Sequence, residues 1–203
     1  VGSRFVNHYE NHDIATDARP RREKAWGFDA VNQVLTWMFT LDGVPLLFCG
    51  NELADADERH SMFGKTPMDW SQLDRTPGRA RHALVKELAR LRREHPALTA
   101  VNGRDGLIWL DTTKPDAVSA FARQGGGETL LVVQNWTGRE VSCGVSFAAP
   151  KESVPSYIVA ENVDRDVKGA VDPAPLHARR AKHTAPRAFT LVPWGCWVSR
   201  VKK

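Results

Sequence analysis

The chain has 203 residues, of which 42% are hydrophobic and seven are tryptophan, so it can bury a sizeable core and is not disordered as a whole. Its formal net charge is only +4, and its basic clusters contain no stacking aromatic residue, which argues against a nucleic-acid partner. No apolar run reaches the ~20 residues that a membrane-spanning helix requires, so a membrane partner is not expected either.

The first half of the sequence predicts short strands alternating with amphipathic helices. A strand at 4–6 precedes a charged loop at 13–24, and apolar residues at three-and-four spacing then predict a helix at 28–41. The continuous apolar run at 44–49 is typical of a parallel strand that is buried on both faces. A second helix is predicted at 79–94, where a leucine stripe ends before a proline.

The second half predicts strands alone, so we place a domain boundary between residues 99 and 104 and expect domains at 1–102 and 103–203. The candidate strands are 107–110, 118–123, 129–134, 141–147, 156–161 and 189–201. Three glycines at 125–127 predict a hairpin turn between two of these strands. The predicted fold class is α/β followed by all-β, with an antiparallel β-sandwich as the second part.

The three cysteines, Cys49, Cys143 and Cys196, are widely spaced, with no C-x-x-C pair and no zinc spacing. Each lies in an apolar or strand-like context, so we expect buried free thiols; a Cys143–Cys196 disulfide would need an oxidising compartment. The cysteines therefore predict no metal site and do not indicate where the protein resides. The start at Val1, without an initiating methionine or a signal peptide, suggests a fragment.

A polar cluster directly follows the first predicted strand: Tyr9-Glu10-Asn11-His12-Asp13 comes after the apolar pair Phe5-Val6. In a parallel α/β barrel the reactive side chains lie where strands give way to loops. A carboxylate and an imidazole in this place could therefore face a substrate. The triplet Asn11-His12-Asp13 could also be a helix cap or a polar turn, since these residue types are common in both.

Three segments, taken in order, resemble motifs of the α-amylase family of glycoside hydrolases. The segments are Glu10-Asn11-His12-Asp13, Gly43-Val44-Pro45 through Gly50-Asn51-Glu52, and Thr66-Pro67-Met68-Asp69-Trp70. The first resembles the N-H-D motif that ends barrel strand seven, and the second resembles the motif of strand eight, although Asn51 stands where the family usually has Asp. The resemblance implies a C-terminal fragment of a (β/α)8 barrel, with strands 7 and 8 and their helices, followed by the family's C-terminal β-sandwich.

The same resemblance implies roles for the polar triplet. Asp13 would be the transition-state-stabilising carboxylate, which binds sugar hydroxyls as the ring flattens towards an oxocarbenium ion. Hydrogen bonds to a charged group are about twice as strong as neutral ones, so tightening them in the transition state lowers the barrier. His12 and Asn11 would contribute to substrate binding, His12 by orienting a hydroxyl of the same sugar and Asn11 by holding the loop through backbone contacts.

By resemblance, the chain is the C-terminal portion of a retaining enzyme that acts on α-glucans such as starch and maltooligosaccharides, or on related α-glucosides. A retaining glycosidase needs two carboxylates about 5 Å apart. The family's nucleophilic Asp and acid/base Glu lie on the fourth and fifth strands, which would precede Val1. We therefore expect the isolated chain to be inactive. No cofactor is expected in it, although the complete enzyme could bind calcium.

Three alternatives remain open from the sequence. The parent enzyme could be an α-glucan transferase rather than a hydrolase. The chain could instead be a non-catalytic carbohydrate-binding module, in which the sandwich binds glucan and the partial barrel is a remnant. It could also complete its barrel against the missing upstream part as a partner, because two barrel strands alone leave unpaired edges.

Two further groups of residues invite a functional interpretation. The acidic residues Asp55, Asp57 and Glu58 could suggest calcium, but their spacing offers no complete oxygen cage, so we expect a solvated loop. Most tryptophans are expected to fill the core. Trp136, in a predicted turn, is the candidate for a carbohydrate contact.

Overall fold

The computed structural model of the chain describes residues 5–16, 20–60, 66–99, 106–146, 153–157 and 187–201. These residues form a helical part with one pair of parallel strands and a β part with two antiparallel sheets. No helix within these ranges is long and apolar enough to span a bilayer. The predicted domain boundary falls almost entirely outside them and stays a prediction.

The helical part contains both helices that the apolar spacing predicts. In chain order its elements are β1 (Val6–Asn7), α1 (His12–Thr16), α2 (Arg22–Trp26), α3 (Phe28–Thr40), β2 (Val44–Pro45), two 3-10 turns (Asn51–Leu53 and Trp70–Asp74), α4 (Gly78–Glu94) and α5 (Pro96–Thr99). The predicted helices at 28–41 and 79–94 are confirmed as α3 and α4. The predicted charged loop at 13–24 is wrong, because it contains α1 and the start of α2.

The two short strands β1 and β2 pair in parallel, with Val6 opposite Val44. The expectation that the run at 44–49 is buried on both faces is wrong. Val44 is 58% exposed, and Phe5 and Val6 on the neighbouring strand are 69% and 54% exposed. Within the described ranges the two strands pair only with each other, so each has one unpaired edge.

The β part is built around one five-stranded sheet. Its strands are β3 (Leu107–Leu110), β4 (Val118–Gly125), β5 (Glu128–Asn135), β6 (Val141–Val145), β7 (Ser153–Tyr157), β8 (Arg187–Leu191) and β9 (Cys196–Val201). The large sheet has the order β3-β4-β5-β9-β7, and β6 and β8 form a separate antiparallel pair. The antiparallel character of the predicted second part is therefore confirmed.

The strands β4 and β5 are buried on both faces of the large sheet. Phe121 pairs with Val132, and both belong to the core beneath α3 and α4. Their neighbours Ala120 and Val133 pair with each other and belong to a second core, against β6 and β8. Because alternate residues face opposite sides of a sheet, two covered faces explain the nearly continuous apolar sequence of these strands.

The predicted single strand at 189–201 is wrong, because β8 and β9 lie in different sheets. A turn between them contains Pro193, which lacks a backbone donor, and Trp194, whose φ of +54° lies in the left-handed region. The Trp194 N–H donates to the Thr137 carbonyl at 2.9 Å, which holds the turn in place. The chain thereby passes from the small sheet to the large one.

Polar contacts also join α3 to the β part. Gln33 of α3 is buried, and its Nε2 donates to the carbonyls of Asn135 at 3.1 Å and Gly195 at 3.2 Å. At the other end of the helix, the buried Arg123 donates to the Thr40 carbonyl at 2.9 Å. These contacts satisfy carbonyls at a strand end and at a helix C-terminus, and they set the position of α3 on the sheet.

The predicted hairpin turn is confirmed between β4 and β5, with Gly126 and Gly127 at its tip. Both have positive φ, +58° and +81°, as the two-residue turns that match the strand twist require. A Cβ on Gly126 would lie 2.2 Å from the Pro96 Cβ, whereas a Cβ on Gly127 would meet nothing within 4 Å. Of these two glycines, only Gly126 therefore lies against α5.

We expect Gly126→Ala to destabilise the chain more than Gly127→Ala. Both changes impose the strain of a positive φ, about 1–3 kcal/mol, but only the first also forces α5 away from the hairpin. Urea unfolding followed by circular dichroism measures both variants. Equal destabilisation by the two substitutions would contradict the close contact between Pro96 and the turn.

Candidate functional site

The three predicted site residues lie together at the carboxyl end of β1. Asn11 caps α1: its Oδ1 accepts the N–H of Ile14 at 3.0 Å, and its carbonyl accepts the N–H of Ala15 at 3.0 Å. His12 and Asp13 form the first turn of the helix, with 3.2 Å between Nε2 and Oδ1. The triplet is therefore a helix cap, and this arrangement directs two polar side chains outward.

His12 and Asp13 are exposed, with 51% and 74% of their side chains accessible to solvent. The Asn11 side chain accepts a backbone N–H of α1, which is the kind of backbone contact expected of a residue that holds the loop. The Asp13 carboxylate accepts hydrogen bonds, and the neighbouring imidazole can donate or accept one. A ligand rich in hydroxyl groups could engage both. The roles of the three residues in substrate binding stay predictions.

Beneath this exposed turn lies a fully buried arginine, Arg21. Its Nε donates to Glu10 Oε2 at 2.8 Å, and one terminal nitrogen donates to Asp55 Oδ2 and to the His60 carbonyl, both at 3.2 Å. The other terminal nitrogen donates to the Cys49 carbonyl at 3.0 Å. The guanidinium therefore connects the end of β1 with the loop that follows β2.

Asp55 corrects the expectation of a solvated acidic loop. It is only 4% exposed and accepts hydrogen bonds from Arg21, from Gln72 Nε2 at 3.3 Å and from the Asp57 N–H at 3.2 Å. Its Oδ2 also lies 2.9 Å from His60 Nδ1. Within the described ranges no group of three or more His, Cys, Asp or Glu side chains could hold a metal ion.

A second buried arginine, Arg81 of α4, lies next to this network. It forms a bidentate pair with Glu23 at 2.9 and 2.8 Å and donates to Asn32 Oδ1 at 2.6 Å. Burial raises the pKa of Glu23, and the Arg81 charge opposes that shift. Burial also raises the pKa of Tyr9, so its phenol stays protonated.

Sequence reasoning missed both arginines. Arg81 stands three residues before Leu84 in the stripe that continues through Leu88 and Leu91, and all four are buried. A basic residue in register with the apolar face of α4 was a signal for a buried ion pair. Arg21 gave no comparable signal, because its acceptors are distant in sequence.

The expectation that most tryptophans fill the core is wrong, because none of the seven is fully buried. Trp26, Trp70 and Trp109 are 47%, 59% and 57% exposed, and the other four are partly buried. Trp136, the expected carbohydrate contact, is half-buried, and its Nε1 donates to Ser119 Oγ at 2.7 Å. Its ring also meets that of Trp37 edge-on, with centroids 6.0 Å apart. Trp136 is therefore held by the structure, and the freely exposed indoles lie elsewhere.

No protein-family model matches the chain. Among curated proteins, the 1,4-alpha-glucan branching enzyme GlgB of Cupriavidus necator is 38% identical over 106 residues, which are 50% of this chain and 14% of that enzyme. The alpha-amylase MalA of Haloarcula japonica is 28% identical over 142 residues, 70% of this chain and 19% of the relative. This chain is a relative of α-amylase-family enzymes. It spans well under a quarter of the length of these two relatives.

Solved structures of two α-amylases and a trehalose-6-phosphate hydrolase share the fold. The Anoxybacillus alpha-amylase aligns with 98% of this chain and 38% of its own, with a TM-score of 0.63 and 17% identity. The maltogenic alpha-amylase AmyB of Thermotoga neapolitana aligns over the same shares, with a TM-score of 0.58 and 18% identity. The Bacillus licheniformis trehalose-6-phosphate hydrolase gives a TM-score of 0.57 at 17% identity over 98% of this chain and 43% of its own.

The cysteines differ in exposure. Cys143 lies in the core between the two sheets and Cys196 in the core beneath the helices, so the large sheet separates them; all three thiols are free. The disulfide considered from the sequence is therefore not formed. Cys49 is exposed, contrary to expectation, because it lies in the loop after β2 rather than within a covered strand.

We expect only Cys49 to react with a thiol reagent in the folded chain, and slowly. Partial burial, followed by the Glu52 carboxylate, raises the pKa of its thiol, which lowers the thiolate fraction at neutral pH and shifts the reaction to higher pH. Mass spectrometry after labelling at several pH values measures this, with Cys49→Ser as control. A second thiol that reacts before denaturant is added would contradict the burial of Cys143 and Cys196.

Proposed function

We propose that this chain is part of an enzyme acting on α-glucans, in which the Asp13 carboxylate stabilises the transition state at the cleavage point. One observation carries this proposal: Asp13 and His12 project into solvent from the first turn of α1, the helix that follows the parallel strand β1, while the carboxylates of Glu10 and Asp55 are buried. The names of the curated relatives, α-glucan branching enzymes and an α-amylase, support the substrate class.

Asp13 would act on the charge that develops during cleavage. As the glycosidic bond breaks, the sugar ring gains oxocarbenium character. A carboxylate that accepts hydrogen bonds from ring hydroxyls tightens those bonds as the hydroxyls become more acidic, and this lowers the barrier. His12 would orient a hydroxyl of the same sugar, and Asn11 would keep both side chains in place through the cap on α1. The proposal includes transfer as well as hydrolysis.

In this proposal β1 and β2 are strands seven and eight of a (β/α)8 barrel. Residues 1–102 are the C-terminal part of that barrel, and residues 103–203 are the C-terminal β domain. The parallel pairing of Val6 with Val44 supports the assignment. So do the exposed apolar side chains of both strands, since such a face needs a cover. The remaining barrel strands, on an upstream segment, are the proposed partner of this surface.

The catalytic nucleophile and acid/base would lie on that upstream segment. A retaining enzyme places two carboxylates about 5 Å apart at the cleaved bond. Glu10 and Asp55 cannot serve, because they are 1% and 4% exposed and both accept hydrogen bonds from Arg21. The chain alone would therefore bind the sugar at one point and leave its glycosidic bond intact.

We expect the 203-residue chain to release no reducing sugar from maltooligosaccharides and to transfer no glucosyl unit. In the longer enzyme, Asp13→Ala should lower kcat by orders of magnitude, because a transition-state contact is lost, with a smaller change in KM. Asp13→Asn is the matched control for size. Reducing-sugar assays and product chromatography measure both reactions, and circular dichroism checks folding.

Turnover by the isolated chain would reject the assignment of the catalytic pair to another segment. Near-normal kcat in the Asp13→Ala enzyme would reject the role of Asp13. These two outcomes are independent, so the experiment separates the location of the catalytic pair from the function of this carboxylate.

A second candidate function, carbohydrate binding by the β part, is favoured by Trp109. This indole is 57% exposed on the edge strand β3, and its ring rests against Phe121 with centroids 5.3 Å apart. An exposed indole presents apolar ring surface, which suits a flat sugar ring.

If the β part binds glucan, calorimetry with maltoheptaose should give a measurable Kd that Trp109→Ala weakens about tenfold or more, equivalent to about 1.4 kcal/mol. The whole chain is titrated, because the β part shares its core with the helices. Ile108→Ala is the control, since Ile108 is 41% exposed on the same strand but points to the opposite face. Equal affinity in the wild-type chain and both variants would remove Trp109 as a sugar site.

A further inference from the structure

Glu10 holds the chain immediately before the polar triplet. Its side chain is 1% exposed, and its Oε2 accepts from Arg21 Nε at 2.8 Å and from Asn51 Nδ2 at 2.9 Å. Its Oε1 accepts from the Arg22 N–H at 2.9 Å. One carboxylate thus receives donors from two separate segments, the start of α2 and the turn after β2. The backbone at residue 10, and with it the Asn11 cap, is fixed from both sides.

Residue 51 can donate a hydrogen bond to the Glu10 carboxylate because its side chain is an amide. Its Oδ1 accepts the Phe48 N–H at 2.8 Å, so its Nδ2 is the atom that faces Glu10 Oε2. An aspartate at position 51 would keep the contact with Phe48 but would place a second carboxylate oxygen about 2.9 Å from Glu10. Two carboxylates at that distance repel each other strongly when both are ionised.

The charges around this contact disfavour a further negative charge at position 51. Arg21 is the cation that Glu10 and Asp55 share, and both carboxylates are buried beside it. The other nearby guanidinium, that of Arg81, donates to the Asn51 carbonyl at 3.2 Å and is paired with Glu23. A carboxylate at position 51 would add a third negative charge around Arg21 without adding a cation.

We propose that Glu10 and Asn51 are coupled positioning residues, which hold the His12–Asp13 turn in register with the loop after β2. This coupling deepens the proposed function and rests on the role given there to Asp13. It also explains why Asn stands at position 51, where the family motif usually has Asp: the amide complements the glutamate that precedes the polar triplet in this chain.

The test is a double-mutant cycle on the whole 203-residue chain, with wild type, Asn51→Asp, Glu10→Gln and the double variant. The readout is NMR hydrogen exchange at the amides of Ile14 and Ala15, which report directly on the Asn11 cap. Amides of β5 serve as the internal reference for global opening.

We expect Asn51→Asp to speed exchange at Ile14 and Ala15 about tenfold or more relative to the β5 amides, the scale of a broken buried polar contact. In the Glu10→Gln background the same substitution should have an effect about tenfold smaller, because a neutral amide now faces the new carboxylate.

Asn135→Asp is the matched control. Asn135 is fully buried, and its Nδ2 donates to the Arg139 carbonyl at 2.7 Å and to the Val192 carbonyl at 2.8 Å, so the same substitution also removes donors from a buried site. It should speed exchange in the β part and leave the ratio of the Ile14 rate to the β5 rates unchanged or lower.

Equal effects of Asn51→Asp in both backgrounds would overturn the coupling, and so would uniform acceleration at all amides. If Asn51→Asp alone does not fold, recovery of the folded chain in the double variant supports the coupling, and failure of both overturns it. Because exchange is measured without substrate, loss of the catalytic role of Asp13 in the longer enzyme would reject the proposed function and leave the exchange result intact.

Discussion

The buried guanidinium group of Arg21 joins the segment after β1 to the loop after β2. Removing a cation from solvent costs several kcal/mol unless its donors are met with good geometry. Arg21 meets that condition with the carboxylates of Glu10 and Asp55 and with two backbone carbonyls, those of Cys49 and His60. Because these acceptors come from both strand ends, the loop that presents the polar triplet cannot move independently of the loop after β2. The exposed residues are mobile only as far as this buried contact allows.

The same principle recurs where the helices meet the sheet. Apolar contacts between α3, α4 and the large sheet supply most of the driving force, but they specify relative position only loosely. Directional contacts add the precision. Arg81 donates to Glu23 of α2 and to Asn32 of α3. Gln33 donates to the carbonyl at the end of β5, and Arg123 donates to the Thr40 carbonyl at the end of α3. The buried polar side chains therefore determine where the elements lie, and the apolar ones determine that they associate.

Local patterns in the sequence sufficed for elements whose stabilising contacts are local. The apolar spacing predicted α3 and α4, and the glycine run predicted the β4–β5 turn. The motif resemblance drew attention to the polar triplet, although β1 ends at Asn7 and β2 at Pro45, several residues before the polar segments that follow them. What failed depended on distant partners: Arg21 binds Asp55, 34 residues away, so the acidic segment around Asp55 looked like a solvated loop. The break at Trp194 was equally hidden, since a positive φ at tryptophan is unusual and follows from the surrounding contacts. The exposure of β1 and β2 could not be read from periodicity, because it depends on which other elements cover the two strands.

The two-sided burial of β4 and β5 bears on whether the β part can be exchanged as a unit. A β module that kept its own closed interior could be exchanged between relatives as a unit. Here one face of the central sheet is finished by side chains of α3 and α4, Leu35 and Leu88 among them. Recombination between the helical part and the β part would pair this face with foreign helices, so side chains on the two sides of the shared core have to remain compatible. The helical part and the β part therefore share one core and cannot be exchanged independently.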